Sequence, residues 1–149
     1  MTTTHHYDIL IIGSGTAGLT LALHMANDVK VAVISKGQLE EGASLYAQGG
    51  ISVVLDKTDS IQSHIDDTLR AGAGLCNEKS VRFTVEHARE NIEWLINQGV
   101  TFTRDGITSE TYHLTQEGGH SHRRIIHSAD ATGREVETTL LDKAKAQPN

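Results

Sequence analysis

The pattern of hydrophobic and polar positions changes period along this 149-residue chain, and each change predicts an element. A continuous apolar run at 9–12 predicts a buried strand, and the threonine-, alanine- and leucine-rich run at 16–27 predicts a helix. A second β-rich run at 30–35 follows at the distance of a βαβ unit. Together these runs predict an α/β fold that starts with a Rossmann-like βαβ unit.

The next part of the chain is predicted to form a loop and then a helix. Residues 38–54 are rich in glycine, alanine and serine and end in an alternating stretch, which predicts a long loop that closes into a strand or bend. Asp59 and Gln62 have the spacing of a capping box, and we expect the helix that follows to stop at Gly72. Its apolar residues recur every fourth position, at Ile61, Ile65 and Leu69.

A second long helix is predicted over 78–98. Asn77 can cap its start, and Gly99 can end it. Its buried stripe consists of apolar residues at helical spacing: Val81, Val85, Ala88, Ile92 and Leu95. Phe83 and Trp94 lie on another face, where we expect them to pack against a neighbouring element.

The last third of the chain predicts short strands, a turn and a final helix. Residues 100–127 have the pattern of short strands and loops, with a turn at Asp105-Gly106. Thr132 and Glu135 predict a capping box for a helix with one apolar side, formed by Val136, Leu140, Leu141 and Ala144. A crossover helix normally leads to another parallel strand, and here the sequence stops at Asn149. We therefore expect the N-terminal part of a larger protein, with a fold that is incomplete at its C-terminal end.

Composition and charge narrow the classes of partner. The chain has 13 basic and 19 acidic residues, a net charge of −6 and no basic block, which argues against nucleic-acid and anionic-membrane surfaces. The N-terminus lacks the features of a signal peptide, and the apolar run at 9–12 is far shorter than a membrane span, so we expect a cytoplasmic protein. Cys76 is the only cysteine, which excludes an intrachain disulfide and a multi-cysteine metal site.

The first candidate site is a Gly-x-Gly-x-x-Gly turn between the first strand and helix. Gly13 lets the chain turn sharply, Gly15 leaves room for a pyrophosphate beside the backbone, and Gly18 allows close packing of helix and strand. The helix N-terminus favours the phosphates. This context predicts a dinucleotide site. Ser35-Lys36-Gly37 stands where an NAD-binding unit usually ends in an acidic residue, and these residues alone leave the choice of dinucleotide open.

The second candidate is the small-residue segment 41–50. Its paired glycines, Gly49 and Gly50, would let backbone approach a flat ring system, and polar groups could reach the ring's edge. These groups belong to Ser44, Tyr46 and Gln48. A flexible surface loop is the alternative.

The third candidate is the segment 113–124, which holds three histidines and two adjacent arginines. His120 and His122 could bind a metal, although no third ligand at a suitable spacing is evident. Arg123 and Arg124 could bind phosphate or carboxylate bidentately. A solvated polar loop is a further interpretation. The last is an active-site loop in which 118–119 faces a ligand, while the histidines, His113 among them, meet its charged groups together with Glu117.

In their order and spacing these motifs, together with Ala129-Asp-Ala-Thr-Gly133, resemble the flavoproteins of the succinate dehydrogenase and fumarate reductase group, most closely its aspartate-oxidising members. The resemblance runs over essentially the entire chain. It implies FAD as the cofactor, with Lys36 near the adenosine part. The residues implied at the diphosphate are Gly13, Ser14, Gly15, Thr16, Ala17 and Gly18, and those implied on the flavin side are Ala43, Ser44, Leu45, Tyr46, Ala47, Gln48, Gly49 and Gly50.

Two features separate the relatives within this group. Succinate dehydrogenases attach the flavin covalently to a histidine just before Ala-Gln-Gly-Gly, whereas this chain has no histidine between His24 and His64, which implies non-covalent FAD. Aspartate-oxidising members have an acidic residue at the position of Glu117, and the resemblance implies that it orients the substrate amino group. A carboxylate there attracts the ammonium of aspartate and repels a plain dicarboxylate.

The activity that the resemblance implies is oxidation of L-aspartate to iminoaspartate by hydride transfer to FAD, with oxygen or fumarate as the acceptor. This is the first step of NAD synthesis through quinolinate, and it implies a hand-off of iminoaspartate to quinolinate synthase. The acid/base arginine and most substrate-carboxylate ligands are expected beyond Asn149, in a capping domain and a C-terminal helical domain. The alternatives are a fumarate reductase or succinate dehydrogenase type of flavoprotein, or a catalytically silent nucleotide-binding fragment.

Overall fold

The computed structural model describes residues 2–106 and 108–148, so Ile107 of the predicted 100–127 stretch and the terminal Asn149 lie outside the described residues. The chain divides into two compact units, one formed by the residues up to Ala47 and from Gly133 onward, the other by Gln48–Thr132. The elements in chain order are β1 (Ile9–Ile12), α1 (Thr16–Met25), β2 (Val31–Ile34), a 3-10 helix (Ala43–Tyr46), β3 (Ile51–Ser52), α2 (Ile61–Ala71), α3 (Glu78–Glu86), α4 (Ala88–Gln98), β4 (Leu114–Thr115), β5 (Ile125–Ile126) and α5 (Thr132–Lys145).

The first unit contains the predicted βαβ unit. Strands β1 and β2 pair in parallel, with Ile9 opposite Val31 and Ile12 opposite Ile34. Helix α1 connects them and buries its apolar residues Leu19, Ala22 and Leu23. In α5, three of the four residues predicted on the apolar side are buried: Val136, Leu140 and Leu141. The α/β interpretation is confirmed.

The second unit is built on a small antiparallel sheet in the order β3-β5-β4. The central strand β5 is fully covered, since Ile125 and Ile126 are 3% and 0% exposed. The helices α2, α3 and α4 add apolar side chains to this core, among them Ile65, Val85 and Ile92. At the predicted turn the backbone bends at Asp105 and Gly106, Gly106 has φ +145°, and an isolated bridge pairs Arg104 with Tyr112.

The predicted cap of α2 was wrong by one residue. Ser60 is the N-cap, and its Oγ accepts a hydrogen bond from the Ser63 backbone N–H at 3.1 Å. The carboxylate of Asp59 instead accepts from the Ser60 N–H at 2.8 Å and forms an ion pair with Arg124. The capping-box pattern depends on local spacing alone, whereas the Asp59 carboxylate pairs with Arg124, a residue 65 positions away in the sequence.

The predicted 78–98 helix is interrupted at one residue, His87, which separates α3 from α4. Side chains compete there with the backbone for carbonyl groups, since His87 Nδ1 lies 2.7 Å from the Phe83 carbonyl and the Asn91 amide donates to the His87 carbonyl at 2.8 Å. The two ends are as predicted: the Asn77 side chain caps α3, and Gly99 is left-handed at φ +107°. The packing predicted for Phe83 was wrong, because that residue is 65% exposed.

Across residues 2–106 and 108–148, no helix combines the length and the apolar character that crossing a membrane would require.

Candidate functional site

The predicted dinucleotide turn lies between β1 and α1. Gly13 has φ +114°, a conformation that favours glycine, and its N–H donates to the Ile34 carbonyl at 2.8 Å. A Cβ on Gly18 would collide with the carbonyl oxygen of Gly13. The turn therefore needs glycine at 13 for its backbone conformation and at 18 for the close approach of helix and turn.

Gly15, the N-cap of α1, has room for a small side chain. Among the described atoms outside its chain neighbours, a Cβ at this position would meet only Ser44 Oγ, at 3.8 Å. The space lies at the N-terminal end of α1, where free backbone N–H groups and the helix dipole favour an anion. A diphosphate is thus compatible with this end of the helix, and a bulky side chain at Gly15 would occupy its space.

The small-residue segment that precedes β3 is tied to the start of α5. The Gly133 N–H donates to the Ala47 carbonyl at 2.9 Å, and a Cβ on Gly133 would collide with the Ser44 carbonyl oxygen. The hydroxyl of Tyr46 donates to Glu41 at 2.7 Å, and this hydrogen bond raises the pKa of Tyr46. Gly133 closes the Ala-Asp-Ala-Thr-Gly motif, but its role as a packing partner was not predicted from the sequence.

A buried carboxyl group also lies beside the turn. Glu137 of α5 is 1% exposed, its Oε2 accepts from the Thr16 hydroxyl at 2.8 Å, and its Oε1 has no partner among the described residues. Burial raises the pKa of Glu137, and the Thr16 hydrogen bond acts in the opposite direction. Glu137 was not predicted as a buried residue, although it lies three and four positions before the apolar Leu140 and Leu141, on the same helix face.

The other predicted cofactor residues differ in exposure. Ser14 is buried, and Leu45 is half-buried. Lys36 is exposed and follows the end of β2. The remaining ones are exposed: Ala17, Ala43, Ala47 and Gln48.

Near the start of the second unit, Gly49 and Gly50 have different surroundings. A Cβ on Gly50 would collide with the Ile126 carbonyl oxygen and the Ile125 side chain, so glycine is needed there for the packing of the chain against β5. A Cβ on Gly49 would lie 3.7 Å from Glu117 Oε1. The structure therefore brings the predicted flavin-side Gly49 next to the predicted substrate residue Glu117.

Glu117 lies on the loop that joins β4 to β5, and its side chain is exposed. The loop folds back on itself, because the His120 N–H donates to the Glu117 carbonyl at 3.2 Å and the Gln116 amide donates to the His120 carbonyl at 2.7 Å. Gly119 takes φ +87° within it. This turn presents a carboxylate at the surface of the second unit.

Behind the loop lies an ionic network of three buried side chains, those of Asp59, Asp67 and Arg124. Arg124 is 0% exposed, and its Nε and Nη2 each donate to the Asp59 carboxylate at 2.8 Å. Its Nη1 donates to Asp67 Oδ2 at 2.9 Å. Both arms of the guanidinium are thus used inside the protein.

This network decides between the interpretations of the two adjacent arginines. Arg124 does bind a carboxylate bidentately, but the carboxylate is that of Asp59, so an external ligand for Arg124 is excluded in this arrangement. Arg123 is exposed, and its Nε donates to the Leu114 carbonyl at 2.8 Å. No local sequence signal could identify Asp59 and Asp67 as partners, because they lie 65 and 57 residues from Arg124.

The histidines of the third candidate segment take structural positions. His120 and His122 place Nδ1 3.4 Å from the Arg124 guanidinium, and no group of three possible metal ligands occurs in the described part of the chain. His113 Nδ1 lies 2.8 Å from His127 Nε2, and His127 Nδ1 lies 2.9 Å from the Ala129 carbonyl. Because a carbonyl only accepts, neutral His127 donates from Nδ1 and accepts from His113.

Comparison with known proteins places this geometry in a family context. The family model described as FAD binding domain matches residues 8–148. The L-aspartate oxidase of Yersinia pestis is 61% identical over 147 residues, which are 97% of this chain and 28% of that protein. The L-aspartate oxidase of Pseudomonas aeruginosa is 56% identical over 154 residues, covering 100% of this chain and 29% of that protein. The chain therefore spans less than a third of the length of these curated relatives.

A solved structure has the same fold. A mutated form of the E. coli quinol fumarate reductase FrdA matches with a TM-score of 0.88 and 29% identity, over 99% of this chain and 25% of that one. The arrangement of helices and strands described above is thus that of a known FAD-binding flavoprotein domain.

Proposed function

Because this chain belongs to the FAD binding domain family, we propose that it is the FAD-binding part of an L-aspartate oxidase. The observation that carries the choice of substrate is the exposed carboxylate of Glu117 beside Gly49. The names of the most similar relatives support the same activity. We propose that residues after this stretch form the capping and C-terminal helical domains, since the relatives are more than three times longer.

The glycine turn of the first unit is compatible with the diphosphate of FAD. We propose that 13–18 and the first turn of α1 hold the diphosphate, with Lys36 toward the adenosine and 43–50 toward the flavin. The room beside Gly15 supports the diphosphate position, because the nearest described atom to a Cβ there, outside its chain neighbours, is Ser44 Oγ, at 3.8 Å. When bound, FAD supplies a flavin ring that can accept a hydride.

Glu117 is proposed to bind the substrate ammonium group. L-Aspartate carries one positive charge that succinate and fumarate lack, and a carboxylate beside the flavin site attracts that charge. In the proposed reaction L-aspartate loses a hydride from Cα and a proton from its ammonium group, which leaves protonated iminoaspartate. The electrons pass afterwards to oxygen or fumarate. The acid/base arginine is proposed to lie beyond Asn149.

The FAD is proposed to be non-covalent. No histidine occurs between His24 and His64, so the segment 41–50 offers no imidazole for attachment to the flavin. A cytoplasmic location and a hand-off of iminoaspartate to quinolinate synthase complete the proposal.

In the test, the purified full-length protein, which includes the residues after Asn149, is mixed anaerobically with L-aspartate or with succinate. Fumarate is then added. Aspartate should bleach the flavin absorbance, fumarate should restore it, and acid precipitation should release the FAD into the supernatant. Bleaching by succinate and not by aspartate would instead identify a fumarate reductase or succinate dehydrogenase type of flavoprotein. Flavin that stays with the denatured polypeptide would reject non-covalent binding.

A further inference from the structure

The loop that carries Glu117 has little conformational preference of its own. Its ends are held, because β4 and β5 pair and the Arg124 N–H donates to the Thr115 carbonyl at 3.1 Å. Between these ends stand the adjacent glycines Gly118 and Gly119. Glycine loses more backbone freedom on ordering than any other residue, so contacts from outside the loop add to the order that its two internal hydrogen bonds provide.

Asp67 of α2 provides such contacts. Its Oδ2 accepts hydrogen bonds from both the backbone N–H and the Oγ of Ser121, each at 2.7 Å. Ser121 lies four residues after Glu117, directly beyond the turn closed by His120. Hydrogen bonds to an ionised carboxylate are about twice as strong as neutral ones, so Asp67 fixes the second half of the loop on α2.

The anchor is itself held rigidly. Asp67 is 2% exposed, and its Oδ2 also accepts from Arg124, whose guanidinium is oriented by the fork of hydrogen bonds to Asp59. Burial by itself raises the pKa of Asp67, but the two Ser121 hydrogen bonds and the Arg124 charge outweigh it and lower the pKa to about 2. The carboxylate is therefore ionised at neutral pH.

We propose that Asp67 is a positioning residue for Glu117: through Ser121 it holds the loop 116–122 so that the Glu117 carboxylate meets the substrate ammonium. This inference rests on the proposed aspartate oxidase function. The competing role for Asp67 is stabilisation of the fold alone, with no selective effect on the substrate ammonium.

A double-mutant cycle in the full-length protein distinguishes positioning of Glu117 from stabilisation of the fold alone. Asp67→Asn is nearly isosteric and leaves the ion pair between Arg124 and Asp59 in place, whose two charges cancel. We therefore expect a folded protein. It should lower kcat/KM for L-aspartate about tenfold, mainly through KM, with little change in fumarate reduction or FAD affinity. In a Glu117→Gln background the same change should have less than about a twofold effect, because misplacing the loop no longer removes a charge interaction. Equal losses in both backgrounds would overturn the proposal.

Hydrogen exchange supplies a measurement that does not depend on activity. Amides in 116–122 should exchange at least about tenfold faster in Asp67→Asn than in wild type, since the anchor on Ser121 is weakened. Asp66→Asn is the matched control, because Asp66 is the exposed neighbour on the same helix. Unchanged exchange in Asp67→Asn, or equal acceleration in Asp66→Asn, would refute the anchor.

Ser121→Ala is the milder variant in case Asp67→Asn does not fold. It removes one of the two hydrogen bonds from Ser121 and leaves the buried charges paired, so smaller changes in the same directions are expected. If the wild-type full-length protein does not oxidise L-aspartate, the proposed function is refuted. The hydrogen-exchange rates of 116–122 would still decide whether Asp67 holds the loop.

Discussion

At the scale of single residues, Glu117 combines an exposed carboxylate with a position beside Gly49. Glu117→Gln keeps the shape of the side chain and removes its charge. A charge-assisted hydrogen bond contributes about 1.5–3 kcal/mol, so kcat/KM for L-aspartate should fall by roughly ten- to a hundredfold. Fumarate reduction should change much less, because fumarate has no ammonium group. Parallel steady-state assays of the two reactions make the comparison.

Equal losses in the two reactions would indicate that Glu117 supports the loop rather than the substrate. Unchanged aspartate kinetics would remove Glu117 from the site.

The lowered pKa of Asp67 predicts that the free energy of unfolding depends on pH in the acid range. Its pKa of about 2 in the folded protein lies below the ordinary value of 3.8, so the ionised group stabilises the fold above about pH 4. This contribution, about 2 kcal/mol, should be lost as the pH falls from about 4 to 2. Urea unfolding should therefore show Asp67→Asn less stable than wild type at pH 5, with the difference shrinking toward pH 2. A difference that stays constant with pH would contradict the lowered pKa.

At the scale of elements, the turn between β1 and α1 contains a position, Gly15, where a substitution should affect FAD binding without affecting folding. Gly15 has an ordinary φ of −71°, and a Cβ there meets only Ser44 Oγ at 3.8 Å among the described atoms outside its chain neighbours. Gly15→Val should therefore abolish FAD binding while the unfolding midpoint of the FAD-free protein stays close to that of wild type. Flavin fluorescence titration and thermal unfolding measure the two quantities. FAD affinity that survives the change would mean that the turn does not hold the diphosphate.

Gly37→Ala is the matched control for this substitution. Nothing lies within 4 Å of a Cβ at Gly37, and the residue has no left-handed φ, so both quantities should stay unchanged.

At the scale of the whole molecule, the first unit exposes apolar side chains along its sheet. Leu10, Ile12 and Ile34 are 58%, 82% and 47% exposed. Adjacent exposed aliphatic side chains favour association. We predict that residues 1–149 expressed alone self-associate, bind flavin weakly and do not oxidise aspartate. Light scattering, flavin titration and an oxidase assay test this, and a monomeric product that turns over aspartate would contradict it.

Local interactions explain what the sequence by itself determined. The βαβ unit follows from apolar runs of the right length. The roles of Gly13 and Gly18 follow from the φ of Gly13 and from the contact between these two residues, which are five positions apart. The same holds for the ends of the α3–α4 region, since Asn77 caps through a backbone group three residues away and Gly99 ends α4 through its own φ. Interactions of this range are encoded in spacing and residue type.

The tertiary structure alone decided which distant groups meet. Three interactions join residues more than fifty positions apart in the sequence. They are the ion pairs of Arg124 with two carboxylates, the hydrogen bond from Thr16 to Glu137, and the packing of Gly50 against β5. Periodicity indicates that a face is buried, but it does not specify the atom that it meets. Arg124 could therefore be predicted to bind a carboxylate, whereas only the folded chain supplies Asp59, because long-range pairing depends on how the elements pack.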